Sequence, residues 1–88
     1  MNLDAFYALP AHFVAKLGFS AISQIPTNKR HEVVAGLAYA LVLVADRLGV
    51  NGRDAMTTAE RWLRDSQTHD TQAHNFAAEK VVDKELTD

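Results

Sequence analysis

The chain carries four histidines, His12, His31, His69 and His74. Asp70 and His74 stand four positions apart, the spacing that places two metal ligands on one face of a helix, and His69 adjoins them. A protein metal centre needs three or four ligands oriented by a surrounding shell of hydrogen bonds. His12 and His31 lie far from this polar stretch in sequence, so the histidines are read as solvent-exposed, and neither a metal nor a cofactor is expected. There is no cysteine, hence no thiolate ligand, no thiol nucleophile and no disulfide framework. Ser20, Ser23 and Ser66 lack the context of a nucleophile elbow, and no glycine-rich loop or carboxylate pair suggests phosphate or acid–base chemistry. The residues therefore point away from an enzyme.

A second group of residues points to binding. Lys29, Arg30 and His31 fall at the start of a helical segment, where the macrodipole favours acids rather than cations. With Thr27 and Asn28 just before them, they could meet a phosphate, a carboxylate or an acidic partner surface. Glu32 partly offsets the cluster. Phe6 and Tyr7, with Leu3, Leu9 and Phe13 nearby, form an aromatic-rich entry. These rings are either an exposed anchor for a partner or, as is more common, a lid that completes a small core.

The elements that would position these groups are helical. Of the 88 residues, 48% are apolar and 23% charged, with a net charge of −2, which describes one folded domain with no polyanion-binding bias. Pro10 suits the first turn of a short N-terminal helix from Ala11 to about Phe19, which Gly18 and the Ser20–Ser23 stretch should weaken. Ile25-Pro26 then disfavours helix. A second helix starts at Thr27 or Asn28 and runs to Leu48, where Gly49 and Val50 form a Schellman ending. Asn51 caps a third helix, about Gly52 to Ser66. Gln67 to Thr71 breaks the pattern, and Asp70 or Thr71 caps a last helix, about residues 71–86. The longest uncharged run, Val33 to Ala45, is too short to span a bilayer, and the N-terminus lacks the cations of a signal peptide. A cytoplasmic location is expected.

The second helix is unusual because it is apolar nearly all round. Val33, Leu37, Leu41, Val44 and Leu48 form one stripe, yet Val34, Ala38, Val42, Leu43 and Ala45 cover much of the rest. Such a helix must be surrounded. It is either the buried hub of a monomer or, the favoured reading, it packs one face against a second copy or a protein partner. Val34, Gly36, Leu37, Ala40 and Leu41 are the expected oligomer face, since small residues let another backbone approach. Met56, Ala59, Leu63 and Trp62 are the expected inner face of the third helix. Ala73, Phe76, Ala77, Val81 and Val82 form the stripe of the last.

The segment Ala45-Asp46-Arg47-Leu48-Gly49-Val50-Asn51 resembles the turn of a helix-turn-helix motif. That resemblance implies a DNA-binding regulator presenting Asn51, Arg53 and Thr57 from residues 45–58. Against it, Ala55 and Thr58 replace the large apolar residues of the pattern, and residues 51–88 carry five cations against eight acids.

The expectation is thus an all-α single domain over residues 1–88, three main helices plus a short N-terminal one, built on an antiparallel hairpin of residues 28–66. The expected role is a non-enzymatic regulator or inhibitor, a homodimer that binds and occludes a macromolecular partner. Size and class suggest the analogy of phage-encoded accessory proteins.

Overall fold

The computed structural model describes residues 1–69 and 71–88. Its helices are α1 (Leu3–Tyr7), α2 (Ala11–Ser23), α3 (Arg30–Leu48), α4 (Gly52–His69) and α5 (Thr71–Ala78), and a π-helical turn (Glu79–Lys84) continues α5. There is no strand among the described residues, only one isolated parallel bridge between Lys29 and Thr87. The fold is all-α, and no described helix is long and apolar enough to cross a membrane.

Local chemistry accounts for most of the boundaries. Asn2 caps α1 by accepting the Ala5 N–H. Pro10 stands just outside α2 in extended geometry. Gly49 is left-handed, with φ at 73°, and the Val50 N–H reaches back to the Ala45 carbonyl at 2.8 Å. This is the expected Schellman ending. The Asn51 side chain accepts the N–H groups of Arg53 and Asp54 at 2.9 and 3.2 Å, so α4 is capped as anticipated.

Three boundaries differ from expectation. α2 continues past Phe19 to Ser23 because the Ser23 hydroxyl bonds back to the Phe19 carbonyl, so it does not compete with the helix, and Ile22 finds partial burial. α4 passes Ser66 to His69 in the same way, with the Thr68 hydroxyl donating to the Arg64 carbonyl. α3 begins at Arg30 with Lys29 as its cap residue. Thr27, outside the helix, accepts the Lys29 N–H and donates to the Glu32 carboxylate at 2.6 Å. The last helix, expected to run unbroken, widens at Glu79. The Lys84–Glu79 pair at 3.5 Å spans five positions, the spacing that a π turn brings face to face. Asp70, expected with Thr71 at the start of this helix and opposite His74, lies outside the described residues.

The hub of the fold is α4 rather than α3. α4 packs against α2, α3 and α5. Its buried face is Ala55, Thr58, Trp62 and Ser66. Met56 and Leu63, expected inside, are half exposed, and Ala59 is exposed. Small residues at positions 55, 58 and 66 let neighbouring helices approach closely, and the one indole fills the space between them. The Thr58 hydroxyl is satisfied by the Asp54 carbonyl. On the last helix Ala77, Val81 and Val82 are half-buried, whereas Ala73 and Phe76 face outward.

The hydrophobic segment α3 lies at an edge. Val33 and Ala45 are its only buried residues. Leu37 and Leu41 complete an inward stripe at four-residue spacing, half-buried, while Val44 and Leu48 are exposed. The molecule measures 35 × 29 × 17 Å, a slab about two helices deep that has no third layer to lay over α3. Its accessible surface is 6653 Å². A compact monomer of this mass exposes roughly 5,100 Å², so roughly 1,500 Å² remains open that a close-packed chain would bury.

Candidate functional site

The edge helix builds the most distinctive surface. The Schellman turn at Gly49 and the Asn51 cap turn the chain from α3 into α4, and the two helices pack against each other. Between them lies a groove of about 670 Å³ lined by Ala38, Leu41, Val42, Asn51, Gly52, Arg53 and Met56. Its walls are apolar, and Val42 and Met56 are 64% and 52% exposed. Asn51 and Arg53 form its polar rim. The Asn51 side-chain oxygen is committed to the cap, and the Thr57 hydroxyl donates to the Arg53 carbonyl. Of the three residues that the helix-turn-helix resemblance would present to DNA, Thr57 has its hydroxyl donor committed, while Asn51 uses only its Oδ1 in the cap and Arg53 keeps its side-chain donors. Met56 contributes a flexible, polarisable side chain suited to an adaptable contact. Its exposure had no signal in the sequence, because Met56, Ala59 and Leu63 fit a core stripe by spacing alone.

The expected oligomer face divides between two sides of α3. Val34, Gly36 and Ala40 are exposed, whereas Leu37 and Leu41 turn toward the inner side, where Leu41 lines the groove. A Cβ added at Gly36 would meet nothing within 4 Å.

The basic start of α3 is met by the chain's own last residues. The Arg30 N–H donates to the Thr87 carbonyl and the Thr87 N–H to the Asn28 carbonyl, both at 2.6 Å. The Arg30 guanidinium lies 3.4 Å from the Asp88 carboxylate. One of the free helix donors and one of the cations are thus answered within the molecule, while Lys29 and His31 stay exposed.

The aromatic entry docks on α4. Phe6 sits edge-on to Trp62 at 5.2 Å and to Tyr7 at 5.1 Å. Trp62 donates its indole N–H to the Leu9 carbonyl, and Arg61 donates to the Tyr7 carbonyl, both at 3.0 Å. Phe6 is half-buried in this lid and Tyr7 is 40% exposed. Arg61 is engaged with Tyr7, and neither the Glu60–Arg64 nor the Arg61–Asp65 spacing closes into an ion pair among the described residues.

A second cavity, which spacing along the chain did not foreshadow, lies between α2, α4 and α5. It has a volume of about 440 Å³ and is lined by His12, Lys16, Phe19, Asp65, Ser66, His69 and His74 among alanines. His12 joins His69 and His74 in this lining despite its distance from them in sequence. Even so, no group of three ligating side chains among the described residues could hold a metal ion. The His74 ring tilts against Phe19 at 5.6 Å and is half-buried rather than solvent-exposed. Among the described residues, its Nδ1 and the Ser66 hydroxyl oxygen are both buried without a hydrogen-bond partner. Buried polar atoms in native folds nearly always have partners, which marks this cavity as polar at its floor.

Comparison of the chain with family models, with curated proteins and with solved structures finds no match in any of the three.

Proposed function

We propose that the protein is a non-enzymatic protein-binding regulator that acts by occluding a surface of a macromolecular partner. The observation that carries this reading is the groove between α3 and α4, open and apolar along Ala38, Leu41, Val42 and Met56. Contiguous apolar surface of this kind costs solubility unless a partner covers it. The groove accepts an apolar side chain or a short amphipathic helix, and Arg53 at the rim favours an acidic residue flanking that anchor. The overall charge of −2 and the excess of acids beyond residue 51 support a protein partner over nucleic acid.

The test compares the wild-type chain with Val42→Asp and Met56→Asp as immobilised baits in native-cell extract. Both positions are exposed, so helicity measured by circular dichroism should be unchanged. A partner retained by the wild type and lost from both variants supports the reading. Identical captured proteins on all three baits would overturn it.

A further inference from the structure

We infer that the outer arc of α3, on the side away from the groove, pairs with the same arc of a second copy in antiparallel register. At 100° per residue, Glu32, Gly36, Tyr39, Ala40, Leu43 and Arg47 fall on one arc of the helix. All six are exposed, Tyr39 at 71%.

The arc is self-complementary about a two-fold axis between Tyr39 and Ala40. Antiparallel pairing about that axis sets Glu32 opposite Arg47 of the second copy, an acid against a cation at each end. Gly36 then stands opposite Leu43, and Tyr39 opposite Ala40. Each large side chain meets a small one, the knob-and-hole relation of packed helices. Gly36 leaves open space at the helix surface in the single chain, since nothing lies within 4 Å of a Cβ placed on it. Glu32 is oriented by its bond from the Thr27 hydroxyl, which leaves its second carboxylate oxygen free. Arg47 makes no ion pair among the described residues. A parallel pairing would instead set Glu32 against Glu32 and Arg47 against Arg47, like charge against like.

Complementarity in charge and size along the arc carries the pairing; a stable isologous dimer buries roughly 800 Å² from each partner, so exposed surface beside the arc joins it in the interface. The occupant of the arc is therefore a second copy, and the groove on the other side of α3 remains free for the regulated partner.

The absence of cysteine allows a direct test of register. Glu32→Cys and Arg47→Cys variants are prepared separately, then oxidised in glutathione buffer alone and as a mixture. Antiparallel pairing predicts a cross-linked dimer in the mixture and none from either variant alone, because like positions lie about 22 Å apart along the helix pair. Gly36→Leu, which fills the hole at an exposed site, should leave the helicity of the chain intact and weaken self-association by roughly tenfold or more. Self-cross-linking of either variant alone would overturn the register. A 9.7 kDa particle in sedimentation of the wild type at about 100 µM would overturn the dimer itself. Val42→Asp, on the groove side, should still cross-link, which separates failure of this pairing from failure of partner binding.

Discussion

The indole N–H of Trp62 donates to the backbone carbonyl of Leu9 at 3.0 Å, joining the middle of α4 to the segment between α1 and α2. Among the described residues, Trp62 is the only large side chain in the buried set, whose other apolar members are Val33, Ala45 and Ala55. Trp62 joins the N-terminal lid to the hub helix with both volume and a hydrogen bond, and Arg61 adds a second bond to the Tyr7 carbonyl.

Trp62→Phe keeps a ring but removes the donor and part of the volume. The expected loss is about 2 kcal/mol, a large share of the stability of so short a chain. Urea unfolding followed by circular dichroism measures it. A change below about 0.5 kcal/mol would mean that the lid is not coupled to the core.

The turn between α3 and α4 rests on two local devices. Gly49→Ala forces a Cβ into left-handed geometry, with open space around it, so its cost is conformational and about 1 kcal/mol. Asn51→Ala removes the acceptor for two N–H groups and costs about 1 kcal/mol. Because both act on one turn, the double variant should depart from the sum of the two, and thermal melts of all three proteins will report the coupling.

All-α character, the end of α3 and the start of α4 were legible because they depend on residues a few positions apart. Gly49, Val50 and Asn51 declare their geometry by type. The identity of the hub was not legible. α3 is richer in large apolar residues, yet α4 is buried because Ala55, Thr58 and Ser66 permit close contact, a property that hydrophobicity does not encode. The three-histidine cavity was hidden for a different reason. His12 reaches His69 and His74 only through the packing of α2 on α4, which no local spacing reveals.

Ser66 offers a test of that cavity. The Ser66 hydroxyl is buried without a partner among the described residues; an unpaired buried hydroxyl costs about 1–3 kcal/mol, and alanine is also the better helix former. Ser66→Ala is therefore expected to stabilise the protein by about 1 kcal/mol in chemical denaturation. Destabilisation would show that the hydroxyl is engaged, for instance by a bound water or ligand.

The Arg30–Asp88 pair is exposed on both sides, which sets a low ceiling on its strength. Asp88→Asn should change the melting temperature very little in low salt and not at all at 1 M salt. A clear drop in both conditions would assign the carboxylate a role other than pairing with Arg30.

The bridge between Lys29 and Thr87 has a kinetic meaning of its own. It closes a loop of nearly sixty residues with two backbone hydrogen bonds, so its entropy of closure must be met after the helices have formed. It should be the last contact made during folding and the first released in native fluctuations. The amide protons of Arg30 and Thr87 then form a matched pair of exchange reporters. Their common rate measures how often the segment at Thr87 lifts from the entrance of α3 and frees the Arg30 N–H and the Asn28 carbonyl.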